Sequence, residues 1–177
     1  EIDFVNHVIT IVIPYNYPLT STNVMTLDKL TKMRVKANLD DNVTIEPALL
    51  YLDLSKENNI ILTDQKRQKI PFKIVAEIRK SNACAITKYE IPSIGLVGII
   101  DEATKKISLI TADEVGSVLA TVVVSHGATI SPDPTKQAIN YDQNFTVTVT
   151  AQDGKTKATY TVKKEVPQKT ELGLRPG

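Results

Sequence analysis

Two stretches of the chain read nearly the same, and that duplication constrains the fold more than any other feature. Residues 32–47 run in phase with residues 117–132 at a constant offset. Apolar residues fall together at Met33 and Val118, Val35 and Ala120, Ala37 and Val122, Leu39 and Val124, and Ile45 and Ile130, and Pro47 and Pro132 close the two stretches. The period exceeds the roughly 20–50 residues of solenoid units and points to a duplicated domain. Domains of about 80 residues bury only roughly 60% of their unfolded surface, so each half is expected to be modestly stable alone.

Strand patterning dominates both halves. Phe145 to Ala151 alternates apolar and hydroxylic residues, and the alternation resumes from Ala158 to Val162 after Gln152-Asp153-Gly154-Lys155. β-branched and aromatic residues suit the pleat, and Asp-Gly suits a turn that needs positive φ. The pattern places Thr146, Thr148, Thr159 and Thr161 on a solvated face and Phe145, Val147, Val149, Tyr160 and Val162 inside. Residues 94–100 and 106–110 read as a second hairpin, and Val118 to Val124 as a strand covered on both faces. In the first half Val8 to Ile13, Leu30 to Leu39, and the pair 60–63 and 70–78 repeat the plan. Helical periodicity is confined to single turns, at Leu27–Leu30 and across Asp113 to Leu119. About seven short strands per half predict an all-β chain of two tandem immunoglobulin-like Greek-key β-sandwiches, since two amphipathic sheets must cover each other. The expected domains are 1–82 and 88–166, with a linker across 81–90 and a tail or linker at 167–177.

Bulk properties exclude several classes. The 21 basic and 20 acidic residues leave a net charge of +1, which gives no field for collecting nucleic acid or anionic lipid. Cys84 is the sole cysteine, so no intramolecular disulfide forms; this fits a bacterial exterior or a reducing compartment better than an animal extracellular module. No apolar run reaches the roughly 20 residues that span a bilayer. The start at Glu1, without Met, reads as a mature or trimmed chain.

The second half carries Val97-Gly98-Ile99-Ile100-Asp101-Glu102, Gly127-Ala128-Thr129-Ile130-Ser131-Pro132, Phe145 through Thr156, and Tyr160-Thr161-Val162. With these motifs it resembles the immunoglobulin-like repeats of Bacteroidetes-type surface lipoproteins, a family of largely unassigned function in which some members bear a provisional cell-adhesion label. The first half is less similar. Its Ile11-Val12-Ile13-Pro14-Tyr15 is similar to a Val-Pro-Tyr-Gly turn of such repeats, with Asn16 in place of the Gly, and no Val-Gly-x-Ile-Asp-Glu hairpin or Asp-Gly turn is visible in it. The resemblance implies an extracytoplasmic location, at the outer membrane or cell surface, with any membrane attachment through an N-terminal lipid anchor outside this chain. It implies no catalytic residue and no cofactor.

Candidate ligand-binding residues are Tyr15 and Tyr17, in Pro14-Tyr15-Asn16-Tyr17-Pro18 just past a strand. Paired rings in a loop can stack a pyranose, but covering the end of a sandwich is the commoner use of Tyr. Asp40-Asp41-Asn42 and Asp133 fall at corresponding turns; calcium needs six to eight oxygens, more than these supply, and turn chemistry accounts for them. His7 and His126 lack zinc-ligand spacing, Cys84 adjoins no nucleophile elbow, and Lys66-Arg67-Gln68-Lys69 and Lys163-Lys164 read as a solvated loop and a strand end. No metal site is expected. The reading that follows is a non-catalytic binding or spacer module for a protein or polysaccharide outside the cell. Its rivals are a glycan-binding module for polysaccharide capture and an accessory domain of a larger surface enzyme.

Overall fold

The computed structural model describes residues 1–168. It is nearly all β, with 46% of residues in strands and 4% in helix. The chain divides into two compact units, Glu1–Lys80 and Ser81–Gly177.

In the first unit β1 (Ile2–Asp3), β2 (Val8–Pro14), β3 (Met33–Arg34), β4 (Thr44–Glu46), β5 (Tyr51–Leu52), β6 (Asn58–Thr63) and β7 (Lys69–Arg79) form a five-stranded sheet, ordered β1-β2-β7-β6-β4, and the pair β3-β5. Only β2 and β7 run parallel. The second unit contains β8 (Ile86–Ile91), β9 (Leu96–Val97), β10 (Ile99–Asp101), β11 (Lys106–Ile110), β12 (Ser117–Val118), β13 (Thr121–Val124), β14 (Thr129–Ser131), β15 (Ile139–Asn140), β16 (Phe145–Thr150) and β17 (Lys157–Glu165). Its large sheet is ordered β10-β11-β17-β16-β14, again with one parallel pair, β11 and β17, and β12 pairs β15.

The two large sheets therefore share one topology, and their registers align residue by residue. Phe72 faces Ile60 as Tyr160 faces Val147, Ile9 faces Ile74 as Ile107 faces Val162, and Met33 faces Leu52 as Val118 faces Ile139. Local turns repeat too. The Asp3 carboxylate accepts the N–H groups of Val5 and Asn6, and the Asp101 carboxylate those of Ala103 and Thr104. His7 and Lys105 end these turns, both at φ 55°. Ile2-Asp3 thus holds the place of Ile100-Asp101, so the first half does possess the hairpin whose sequence motif it lacks. Asn42 and Gly127 occupy matching left-handed positions at φ 63° and 75°. The left-handed region is open to Gly and tolerated by Asn, which explains how the two residues interchange.

One element has no counterpart. In the second unit β8 pairs with β13 and β9 to make a third sheet. Ile86, Tyr89 and Ile91 of β8 are buried in a core shared with Ile107 and Leu109 of β11 and Val147, Val149, Tyr160 and Val162 of the β16–β17 hairpin. Gly98 is where the chain crosses from β9 to β10. Its N–H donates to the Tyr89 carbonyl at 2.7 Å, and a Cβ there would lie 2.9 Å from that oxygen. The first unit has no third sheet among the described residues, and its core is Ile13, Leu30, Leu54, Ile60, Phe72 and Ile74.

Three expectations need correction. Residues 86–90 are strand and core rather than linker, so Ile86 and Thr87 belong within the second unit although the expected domain began at residue 88. The Ile-Thr-Lys-Tyr-Glu-Ile stretch buries Ile86, Tyr89 and Ile91 at spacings of three and then two, which breaks the period-two signature of a strand. The segment Asp113 to Leu119 forms no helical turn; it carries β12, while the turn at Leu27–Leu30 is a 3₁₀ helix. The expected covered strand Val118 to Val124 is broken at Leu119 and Ala120, and Val123 is exposed. The expected tail begins at Pro167; residues 169–177 lie outside the described residues.

Candidate functional site

Tyr15 and Tyr17 lie in a segment between β2 and the 3₁₀ turn that has no equivalent in the second unit, where β11 leads to β12 through a much shorter connection. The segment is held by paired backbone bonds: Tyr15 N–H donates to the Arg79 carbonyl at 3.0 Å, Met25 N–H to the Tyr15 carbonyl at 2.7 Å, and Tyr17 N–H to the Asn23 carbonyl at 3.2 Å. Asn16 is buried between the two tyrosines, and its amide reaches the Asn23 carbonyl at 3.3 Å. The two rings differ. Tyr15 is half-buried, with the Lys80 ammonium 4.9 Å above its ring, whereas Tyr17 is 63% exposed.

A second feature is a groove of 450 Å³ in the first unit, lined by Lys36 to Leu39, Val43, Ile45 and Leu49 among others. Residues 35–40 lie outside the strands, the Val35 N–H donating to the Leu50 carbonyl at 3.0 Å, and Leu39 is 43% exposed. Sequence reasoning did not single out this groove. The signal was there in the repeat itself, because Ala37 and Leu39 align with Val122 and Val124 of a paired strand.

Most of the polar segments singled out from the sequence are ordinary turns and packing contacts. Asp133 accepts the Thr135 N–H at 3.0 Å and hydroxyl at 2.6 Å, and this turn holds its carboxyl below the usual range. The Asp40 carbonyl accepts the Val43 N–H. His7 stacks obliquely on Phe72 at 4.9 Å. Cys84 is half-buried against the second core. In the Lys66 to Lys69 loop Asp64 accepts the N–H groups of Lys66 and Gln68. Lys164 donates to Asp142 at 2.6 Å. With the N–H groups of Val115 and Gly116 also bound, Asp142 is held down to about 2. Among the described residues no group of three or more His, Cys, Asp or Glu is placed to hold a metal ion, and no helix is long and apolar enough to cross a membrane.

Two sets of tyrosine hydroxyl bonds tie β8 to the rest of its unit. Tyr89 and Tyr141 share a hydroxyl–hydroxyl bond at 2.8 Å in the core, and burial pushes the Tyr141 hydroxyl upward. The Tyr160 hydroxyl accepts the Ile86 N–H at 3.1 Å and donates to Glu102, whose carboxyl is lowered by Lys105 and then by Tyr160. Buried hydroxyls are favourable only when so partnered.

Comparison with known proteins returns families without assigned function. No curated protein matches the chain. A crystal structure of a "putative glycoside hydrolase" from Bacteroides thetaiotaomicron is similar at 24% identity and a TM-score of 0.44; the match covers 52% of this chain and 27% of that one. Residues 2–76 match the model of one family, described as a domain of unknown function (DUF5018), and residues 86–164 match that of another, also described as a domain of unknown function (DUF8499).

Proposed function

We propose that the chain is a non-catalytic binding or spacer module of two immunoglobulin-like β-sandwiches, carried on the extracytoplasmic side of a bacterial cell and serving attachment to a protein or polysaccharide. The observation that carries this reading is the repeated sheet order, in which acidic side chains serve as turn caps rather than converging on a cleft. Asp3, Asp53, Asp64, Asp101, Asp133 and Asp153 each accept backbone N–H groups of their own turn. Rigid sheets that present loops are the usual scaffold for recognition. The motifs around Gly98 and Gly127 support the surface-lipoprotein resemblance, because each has a backbone reason in this fold. The test is protease shaving of intact cells that make the full-length protein, with product analysis on a polysaccharide panel alongside. The reading expects loss of the surface epitope and no cleaved product. A protected epitope, or bond cleavage by this chain, overturns it.

Glycan capture is the second reading, favoured by the exposure of Tyr17 in a segment that only the first unit has. If a glycan array yields a ligand, the Tyr15→Ala/Tyr17→Ala double variant should bind it about tenfold more weakly, equivalent to ~1.4 kcal/mol. Full affinity in the double variant removes the tyrosines from the reading.

A further inference from the structure

Between Asp28 and Asp40 the sequence carries Lys29, Lys32, Arg34 and Lys36 and no acidic residue, and none stands between Glu46 and Asp53 on the facing segment. Lys29 donates to the Val24 carbonyl at 2.6 Å. The other three fall on one face. Met33 and Arg34 form β3, and the Val35 N–H carries the pairing on to the Leu50 carbonyl. The side chains therefore alternate: Met33 and Val35 pack against the core, while Lys32, Arg34 and Lys36 are exposed. Residues two apart on extended backbone share a face at roughly 6.4–6.8 Å. Tyr51 of β5, opposite Arg34 in the register and 51% exposed, joins them.

This arrangement gathers positive charge and leaves it uncompensated. The Lys32 ammonium stands 5.1 Å from the centre of the Tyr51 ring and the Arg34 guanidinium 6.0 Å. One ring holds two like charges near each other, and cation–π attraction offsets part of their repulsion. Among the described residues none of Lys32, Arg34 and Lys36 is ion-paired. Asp53, two residues beyond Tyr51, accepts the N–H and the hydroxyl of Ser55 instead. The matching positions of the second unit are Ser117, Leu119, Thr121 and Ala138. All four are exposed although β8 is paired with β13 there, and all four are uncharged. The face is open in both units, and only the first places cations on it.

We propose that this strip, Lys32, Arg34 and Lys36 around Tyr51, binds an anionic polysaccharide whose sugars carry carboxylate or sulfate groups. Charge complementarity selects the anion, and the Arg34 guanidinium offers the fork that a multi-oxygen anion accepts bidentately. Three cations in line suit a polymer with repeating charge better than a single ion. The ring is already engaged by cations, which makes it a poor platform for a base and weighs against single-stranded nucleic acid. The net charge of +1 adds no long-range field, so binding stays local to the strip. The site shares with the reading above only a polysaccharide partner and uses neither Tyr15 nor Tyr17, so the two fail separately.

The test is affinity electrophoresis of the whole chain at low salt through gels holding polygalacturonate, dextran sulfate or neutral dextran, with a single-stranded oligonucleotide as competitor. Both polyanions, or one of them, should retard the protein, and the stronger of the two identifies the anion; dextran should not. Lys32→Gln/Arg34→Gln should weaken the retardation about tenfold or more, since two contacts to charged groups are lost. Its melting temperature should stay unchanged, because both side chains are exposed. Lys66→Gln/Arg67→Gln removes equal charge from a loop elsewhere and should bind as the parent does. Added salt should abolish binding to the parent. No retardation by either polyanion, equal loss in the two variants, or equal retardation by dextran overturns the inference. Stronger binding of the oligonucleotide reassigns the strip and overturns it too, as does loss of polyanion binding in the Tyr15→Ala/Tyr17→Ala variant.

Discussion

The two units share a sheet order and a register but not a finished core. In the second, eleven residues form the buried cluster; in the first, six do. Four positions are common to the two clusters, and of the seven others in the second, Ile86, Tyr89 and Ile91 come from β8 itself. The others reveal its indirect effect: Ile107, Leu109, Ala120 and Val149 are buried, whereas their counterparts Ile9, Ile11, Val35 and Leu62 are half-buried. These differences fall on β11, on β16 and on the connection between β12 and β13. Each large aliphatic side chain taken from exposed to buried contributes about 1.5–3 kcal/mol, so the units should differ in stability despite equal topology.

The comparison can be broken at matched positions. Leu109 and Ile11 sit at equivalent points of β11 and β2, fully buried and half-buried respectively. Leu109→Ala should cost about 3 kcal/mol, in the range of core truncations, and Ile11→Ala about half as much. Equal losses by denaturant titration would mean that the exposure difference carries no energetic weight.

Next in size is the hydroxyl that anchors β8. Tyr160→Phe recreates the residue found at position 72 and leaves the Ile86 N–H and Glu102 without this partner. A loss of about 1–3 kcal/mol confined to the second unit is expected, the cost of a buried donor left unpaired. Melting monitored in both units shows whether the loss is so confined; an unchanged second unit contradicts the anchoring role.

A third contrast depends on pH. Asp142 is lowered first by Lys164 and then by two backbone N–H groups, to about 2. A carboxylate with a depressed folded pKa stabilises fully above its unfolded value, near 3.9, and loses that contribution as pH falls toward the folded value. Stability of the second unit should therefore decline between about pH 4 and pH 2. Asp142→Asn should lower its melting temperature at pH 7 and flatten that decline, leaving the first unit unmoved. The positions matching Asp142 and Lys164 there are Ser55 and Ala76, which cannot form the pair.

The smallest effect is expected at Lys73, whose ion pair with Glu57 at 3.2 Å is half-exposed. Lys73→Ala should shift stability by less than about 1 kcal/mol, and added salt should erase the difference. A larger change would show that this face of β7 is covered in solution.

What was legible in the sequence follows the physics of alternation. Phe145 to Val162 bury every second residue, and the period of two alone locates that hairpin. The hairpin at Ile2-Asp3 was illegible because its turn is made by Asp3, Asn6 and His7 in place of Asp101, Thr104 and Lys105, different letters for the same capped geometry. β8 was misread as a linker although Ile86, Tyr89 and Ile91 are all buried: its inward spacing shifts from three to two, in keeping with the register shift at Val123 and Val124. The groove escaped notice because an unpaired strand and a paired one have the same sequence pattern. Only the pairing partner, which is not local, separates Lys36–Leu39 from Thr121–Val124.

The most direct measurement is scanning calorimetry of the intact chain, with hydrogen exchange assigning each transition. Two separate cores of unequal completeness should melt in two steps, and the amides of the Asn58–Arg79 hairpin should lose protection in the lower one while those of Phe145–Glu165 persist. A single cooperative transition, or loss of the second hairpin first, would contradict the unequal cores on which the account rests.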